Sequence, residues 1–564
     1  MSIITDPSPP VELQWLALPP LHQKLTRDGT CRFRELKIGI SHDFAFKQAW
    51  VKHKRAWLER GFSTCLLNGA WFLRQWLLET PAGLTLTPVG REKIIALGKA
   101  PTDQPLALSA PAPRQIVLPD LPSEIEAKLR GYQVIPTRQI YRALMQGRAE
   151  WGYPGAVDFS DMGIGKTYQD LAAAIATGRD PAILCPTVGA AGWQRACEHF
   201  GITPHFISTY EAVRGGFRDH IATMDATGKF TWKHPGEIVI ILDEAQALRH
   251  DDTLTVRCCS AAVRQGIPII VASATIATSP IEMRFAGRIS GLHKGDDDWH
   301  RFLVNHGCYN KGKSYVWDGK HHHLLRINTQ LFPWRGARVR KQDLGEECPE
   351  TTIETLPFDI PEAAKVEAEW KATEDMLRRL ALQMSAPQLR IKEQQAHMQM
   401  WKKCEMLLVP YLADRIKKDV RDGKSVAVFM NFNESRIGLS KLLNTSAGFY
   451  GGQPLKKRQY WEREFQADRQ HVLVNNIGAG GASVSLHDVN GWRARVSYIM
   501  PTDHVIKMEQ ATGRVDRVGG KSASQQFIPF VAGSMTEKMI HRTRQKMLRI
   551  ATINDGSMAA SARF

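Results

Sequence analysis

Asp161-Met-Gly-Ile-Gly-Lys-Thr167 is the stretch that decides the fold. Gly163 and Gly165 free the backbone to turn, Lys166 brings positive charge, and Thr167 brings a hydroxyl able to ligate a divalent cation. Such a turn works only between a buried strand and a helix, because the amides at the helix N-terminus then converge on phosphate. Gly155-Ala-Val-Asp-Phe159 reads as that strand and residues 168–176 as that helix. Ser160 stands where the usual G-x-x-x-x-G-K-[ST] pattern has its first Gly. The literal match to that pattern, residues 307–314, lacks a strong strand before it. Tyr315-Val-Trp-Asp-Gly319 follows it and opens no helix, so it is expected to be a decoy.

Glu237-Ile-Val-Ile-Ile-Leu242 reads as a buried strand that ends in Asp243-Glu244. Two adjacent carboxylates at the carboxyl end of such a strand are costly unless a cation or substrate uses them. Asp243 is expected to hold Mg²⁺ through water, and Glu244 to orient and deprotonate an attacking water. The bland alternative is an exposed strand end that caps the next helix. Arg514 and Arg517 lie three apart in Gln510-Ala-Thr-Gly-Arg-Val-Asp-Arg517 and would share one face of a helix. Reaching across a cleft from a second α/β domain, they could stabilise charge on a γ-phosphate. Otherwise they are solvated surface arginines.

The 564 residues suggest several domains, and 43% hydrophobic residues are enough to bury more than one core. Lys and Arg total 74 against 57 Asp and Glu, leaving +17, which favours a polyanionic partner. The nine cysteines show no C-x-x-C spacing and several sit in apolar runs, which implies reduced thiols and no zinc site. No apolar run approaches the roughly 18 residues of a membrane span, and the N-terminus lacks a signal-peptide pattern. A cytoplasmic protein is expected. Mainly apolar runs at 182–185, 238–242 and 267–272, and again at 426–430, 472–475 and 496–500, suit parallel strands covered on both faces. The fold class is therefore α/β, with two parallel-sheet domains, a helical insertion and a small N-terminal accessory domain. The expected boundaries are 1–125 for the accessory domain, 126–290 for the first α/β domain, 291–422 for a linker and helical protrusion, and 423–564 for the second α/β domain with a C-terminal helix. Residues 291–335 read as irregular.

Together these segments resemble the superfamily 2 helicases, and within them the Swi/Snf-type double-stranded DNA translocases. Asp161-Met-Gly-Ile-Gly-Lys-Thr-Tyr-Gln169 is similar to the family's D-x-M-G-L-G-K-T-x-Q, and Asp243-Glu-Ala-Gln246 to its D-E-x-H. Cys185-Pro-Thr187 and Ile207-Ser-Thr-Tyr-Glu211 resemble the early nucleic-acid segments, and Arg338-Val-Arg-Lys-Gln-Asp343 the R-R-x-K-x-D that opens the second half. Gly478-Ala-Gly-Gly-Ala-Ser-Val-Ser-Leu486 and residues 510–519 resemble the last two motifs. Ser483 and Ser485 depart from the Gly and Asn the family prefers, and Gly520 from its frequent Gln. The insertions are short for a chromatin remodeller, so a compact bacterial or viral translocase fits better.

The resemblance implies two RecA-like domains with ATP·Mg²⁺ between them and double-stranded DNA across both. It implies that Lys166, Glu244, Arg514 and Arg517 carry catalysis. Gly163, Gly165, Lys166, Thr167 and Gln510 would hold nucleotide, Thr167 and Asp243 the metal. Leu129-Arg-Gly-Tyr-Gln133 resembles the family's L-R-x-Y-Q, making Gln133 the adenine reader, with Gln139 as competitor. Ser273-Ala-Thr275 would couple nucleotide to nucleic acid. Two rival readings remain: an RNA helicase, and a nucleic-acid-binding clamp gated by ATP. Residues 83–91, after the basic aromatic segment 46–57, resemble the wing region of winged-helix DNA binders; the alternative is a small docking domain packed on the motor. His321-His-His323 reads as a solvated loop and Lys456-Lys-Arg458 as a solvated helix face.

Overall fold

The computed structural model describes residues 116–215, 221–249, 253–312, 314–480 and 484–556, preceded only by short strand segments. Residues from Leu118 onward form one compact unit and Ile3–Val117 a second. In the second unit the described elements are short antiparallel pairs, such as Leu77–Thr80 with Gly83–Leu86. The helical segment at 46–57 and the winged-helix reading lie outside the described residues.

The larger unit holds two sheets, each the centre of a lobe. The first comprises β1 (Gly155–Asp158), β2 (Asp180–Leu184), β3 (Phe206–Ser208), β4 (Ile238–Asp243), β5 (Ile269–Ala272) and β6 (Gly336–Ala337), in the order β3-β2-β4-β5-β1-β6. Every neighbouring pair is parallel. Ile238 through Leu242 are all buried, as expected for a strand covered by helices on both faces.

The second sheet comprises β7 (Thr351–Phe358), β8 (Ser425–Met430), β9 (Val472–Asn476), β10 (Arg495–Ile499) and β11 (Ser524–Val531), all parallel, in the order β7-β11-β10-β8-β9. Its two faces feed separate cores. Val426, Val428 and Met430 enter one, Ala427 and Phe429 the other, following the two-residue period of a strand.

The stretch expected as linker and protrusion, 291–422, does more than connect. It gives β6 to the first sheet and β7 to the second. The part read as irregular carries helices Asp296–Asn305 and His321–Leu331 around a hairpin, Cys308–Lys311 with Ser314–Trp317. Buried Trp299, Phe302, Leu303, Leu324, Ile327 and Leu331 supply the helical spacing that the surrounding Gly, His and Lys obscured. The decoy residues 307–314 are the first strand and turn of this hairpin, so no helix N-terminus stands behind them. His321-His-His323 forms the first turn of a helix, not a loop, with His323 Nε2 3.4 Å from Asp318. Among the described residues no group of His, Cys, Asp and Glu is arranged to hold a metal ion.

The helical protrusion is a pair, Ala363–Leu380 and the 36-residue Ala386–Arg421. The longer helix buries Met400, Trp401, Cys404, Leu408, Leu412 and Ile416 at helical spacing against the second sheet. Glu405, on the same face, accepts the backbone N–H of Asn431 at 3.1 Å and of Phe432 at 3.1 Å, fixing the start of helix Asn433–Leu442. Lys456 and Lys457 are exposed in the first turn of Leu455–Gln466, as read from the sequence.

The last helix, Met535–Asp555, crosses between the lobes. Met535 and Met539 lie in a core of the second lobe, and Ile553 in the core of the first. Asn328 Nδ2 donates to the Ile553 and Asn554 carbonyls at 2.9 and 2.8 Å, and Asn554 Nδ2 donates to the Ala274 carbonyl at 2.7 Å. No described helix is long and apolar enough to cross a membrane.

Candidate nucleotide site between the lobes

The phosphate loop leaves β1 and enters helix Lys166–Ala176 through Gly165, whose φ of 89° belongs to the left-handed region. Space demands glycine as well as conformation. A Cβ on Gly165 would lie 2.7 Å from Gln133 Nε2, and one on Gly163 would lie 2.7 Å from Arg517 Cγ. Ser160 is fully buried, and its hydroxyl accepts the Val339 N–H at 2.9 Å. The departure from glycine therefore ties the loop to the segment after β6. Lys166 Nζ donates to the Ser160 and Asp161 carbonyls at 2.8 and 3.0 Å, so the ammonium spans the mouth of its own loop.

Helix Gly131–Trp151 supports the loop from outside. Tyr132 donates its hydroxyl to the Ile164 carbonyl at 2.7 Å, and Gln133 Nε2 donates to the Gly165 carbonyl at 3.1 Å. The Gln133 Oε1 accepts the Arg130 N–H at 3.0 Å. Gln133 thus sits on the loop with both ends of its amide engaged. Gln139 is buried farther along the same helix.

The acid pair ends β4. Asp243 Oδ1 accepts the Glu244 N–H at 2.9 Å and Oδ2 accepts Trp193 Nε1 at 2.9 Å, while Tyr210 donates to the Asp243 carbonyl at 2.8 Å. Burial, and next the adjacent Glu244, push the Asp243 carboxyl up to about 6. Glu244 has φ 52° and ψ 46°, a left-handed conformation that costs a non-glycine residue about 1 kcal/mol or more. This turn directs its side chain into a hydrogen-bonded row. Gln246 Nε2 donates to Glu244 Oε2 at 2.8 Å, and Ser273 Oγ donates to Gln246 Oε1 at 2.7 Å. An amide can donate to the acid and accept from the serine at once, which suits Gln at this position.

The second lobe closes the row. Gln510 Nε2 donates to the same Glu244 Oε2 at 3.3 Å, and the Val518 N–H donates to the Gly163 carbonyl at 3.2 Å. Gly513 comes so near the phosphate loop that a Cβ there would be 2.9 Å from Met162 Cβ. The expectation that Arg514 and Arg517 share a helix face needs correction. The helix Val505–Thr512 stops before both, and they lie in the turn that follows. Their guanidiniums nevertheless converge. Arg517 Nη2 and Arg514 Nη1 donate to the Val484 carbonyl at 2.9 and 3.4 Å, and Arg517 Nη1 to Ser485 Oγ at 2.8 Å. Burial, then the neighbouring Arg517, lower Arg514 to about 9. Ser483 lies outside the described residues.

Beneath the loop is a second carboxyl pair that the sequence did not flag. Asp158 and Asp170 are both fully buried. Asp158 accepts the Ser160 N–H at 2.9 Å and the Gln169 side-chain amide, whereas the Asp170 oxygens meet no other donor among the described residues. Burial, then the charge of Asp158, drive Asp170 well above the usual carboxylate range, with Lys166 opposing and Asp243 reinforcing the shift. The fold therefore favours the protonated form of Asp170 more than the unfolded chain does. Its contribution to stability is present below the unfolded value of about 4 and falls as pH rises through the folded value. Asp170→Asn, neutral at every pH, is expected to melt increasingly above wild type as pH rises from about 4. A difference independent of pH would show Asp170 to be ionised in the fold.

Two parallel sheets share one cleft, with the phosphate loop and acid pair on one lobe and residues 510–517 on the other. No family model matches the sequence. The chain is similar to the "Putative ATP-dependent RNA helicase" of Acanthamoeba polyphaga mimivirus, at 27% identity over 470 residues that cover 78% of this chain and 86% of that protein. Among solved structures, the SWI2/SNF2 ATPase core of Sulfolobus solfataricus in complex with dsDNA covers 79% of this chain and 97% of its own, at 15% identity and a TM-score of 0.32. That structural likeness is too loose to bear on function.

Trp193, Tyr132 and Ser485 were not singled out as site residues. Tyr132 and Ser485 lie inside quoted motifs, where Tyr beside Gln133 and Ser near the motif's end carried a signal. Trp193 belongs to no motif, and only folding brings it to Asp243.

Proposed function

We propose that the protein is an ATP-dependent motor on nucleic acid, a double-stranded DNA translocase that hydrolyses ATP between its lobes. The observation that carries this reading is the Gln510 amide of one lobe on the Glu244 carboxylate of the other, at 3.3 Å. A residue that activates water is thereby joined to the lobe whose movement would do work, so chemistry and closure depend on each other.

The donor set suits a divalent cation. The Asp243 carboxylate is half-buried and crowded by Glu244, accepts one N–H on each oxygen, and so has lone pairs to spare. Thr167 and Asp243 would hold Mg²⁺, which supplies charge neutralisation on the β and γ oxygens when bound. In the reaction Lys166 leaves the carbonyls of Ser160 and Asp161 for the phosphates. Glu244 orients the attacking water and takes its proton. Arg514 and Arg517 move from the Val484 carbonyl toward the γ-phosphate and balance charge there as the bond to the leaving group breaks. Gly163, Gly165 and Gln133 shape the pocket, and Gln510 reports that the cleft is shut. Nucleic acid lies across both lobes, drawn by the net charge of +17.

The test is ATPase rate for wild type and Lys166→Ala, alone and with duplex DNA, single-stranded DNA and RNA, at two salt concentrations. Strong stimulation by duplex DNA, abolished in the variant and weakened by salt, is expected. The name of the mimiviral relative and the Gln246 form of the acid motif favour a second reading, an RNA helicase. Stimulation by RNA alone would establish it, and ATP binding without turnover on any polymer would indicate a clamp.

A further inference from the structure

The two arginines need a seat, and the structure shows how it is built. Val484 and Ser485 provide it, the first through its carbonyl and the second through its hydroxyl. These two residues lie near the end of the 478–486 motif and precede the buried Leu486, whose N–H donates to the Arg514 carbonyl at 2.9 Å. From the other side the Ser485 N–H donates to Glu462 Oε1 at 2.7 Å. Glu462 belongs to helix Leu455–Gln466, and the same helix fixes the seat again through Gln466 Nε2 on the Ser485 carbonyl at 2.5 Å. Seat and helix thus form one hydrogen-bonded unit.

Charge points the same way. Two guanidiniums that share the Val484 carbonyl repel each other, and the burial of Arg514 strengthens the repulsion. Glu462 is the leading carboxylate that favours the Arg517 cation, ahead of Glu244, and Arg195 of the first lobe faces it as well. Glu244 has its own task at the water. Glu462 has none, and among its described hydrogen bonds is the one to the Ser485 amide.

We propose that Glu462 is a positioning residue for Arg517, acting through Ser485 to aim the guanidinium at the γ-phosphate. The proposal rests on the reading of Arg517 as a transition-state residue. It accounts for serine where the resembled family prefers asparagine: a short hydroxyl held by Glu462 from behind can accept from Arg517.

The experiment is a double-mutant cycle on the full-length protein, with nucleic-acid-stimulated ATPase as readout. Glu462→Ala is expected to lower kcat about tenfold while KM for ATP and affinity for nucleic acid stay within about twofold, as misplacement of a transition-state group would. Glu462→Gln, which keeps the oxygen that accepts the Ser485 N–H, is expected to retain at least about half the turnover. In the Arg517→Ala background Glu462→Ala is expected to cost nothing more. Ser485→Ala, which leaves Glu462 in place, is expected to give the same split between kcat and KM, and carries the test if Glu462→Ala fails to fold. Fully additive losses, or a loss in KM as large as that in kcat, would overturn the proposal alone. Full turnover by Arg517→Ala would overturn the arginine reading and this proposal with it.

Discussion

Arg517→Ala is expected to lower ATP turnover on the order of 10³-fold, with ATP binding changed by no more than a few-fold. The stem of Arg517 already lies on the phosphate loop, since a Cβ on Gly163 would come within 2.7 Å of Arg517 Cγ. Its guanidinium, in contrast, is held by protein oxygens, Val484 O at 2.9 Å and Ser485 Oγ at 2.8 Å. On the proposed mechanism those bonds serve the ground state and would be exchanged for phosphate oxygens only as charge develops. An interaction made only in the transition state lowers kcat and kcat/KM together when removed. The variant should therefore bind a fluorescent ATP analogue nearly normally and fail in single-turnover hydrolysis. Arg517→Lys is expected to recover little, because an ammonium cannot reproduce the planar fork that two oxygens require. Loss of nucleotide affinity equal to the loss of turnover would instead make Arg517 a ground-state ligand.

Much of this site could be read before folding because its chemistry is local. Asp161 to Thr167 and Asp243-Glu244 each carry their role within a few residues, at the carboxyl ends of apolar strands. The elements that escaped notice lack such marks. β6 is two residues long, and β7 reads Thr-Thr-Ile-Glu-Thr-Leu-Pro-Phe with no fully buried position, as an edge strand allows. β11 begins Ser-Gln-Gln and contains Pro529, both contrary to strand preference, yet all of its last six residues are buried once β10 and β7 flank it. The arginine turn misled for a different reason. Spacing of three suggested a helix, but the close approach of Gly513 to Met162 belongs to the contact between lobes, which local periodicity does not contain. The links from Ser273 to Gln246, and from Gln510 to Glu244, are likewise properties of the assembled sheets.

Arg338→Met is expected to release the last turn of the C-terminal helix and to destabilise the protein by about 3–5 kcal/mol. Arg338 is nearly buried between two carboxylates: Nη2 lies 2.7 Å from Asp161 Oδ1 in the phosphate loop, and Nε donates to Asp555 Oδ1 at 2.7 Å. Its remaining nitrogen, Nη1, donates to the Phe159 carbonyl at 2.5 Å. Methionine fills a similar volume but takes away the guanidinium that Asp161 and Asp555 share, and each is only 10% exposed. Removing the shared partner of a buried ionic group costs far more than the group itself contributes, because the charges left behind have lost their water. The damage should be local first. Residues 550–554 belong to a helix rooted in the second lobe, and Asp555 with Asn554 fastens that helix to the first lobe beside Ala274. Their amides are expected to lose roughly two orders of magnitude or more of hydrogen-exchange protection, while amides of β4 and β8 exchange at rates set by their own lobes. Asp555→Asn, which leaves Arg338 paired with Asp161, should lose much less. Equal protection in Arg338→Met and wild type would mean that Asn328, Asn554 and the burial of Ile553 hold the helix down without Arg338. Slower ATP turnover in Arg338→Met at a temperature where both lobes remain folded would place the fastening in the path by which closure of the cleft reaches the phosphate loop.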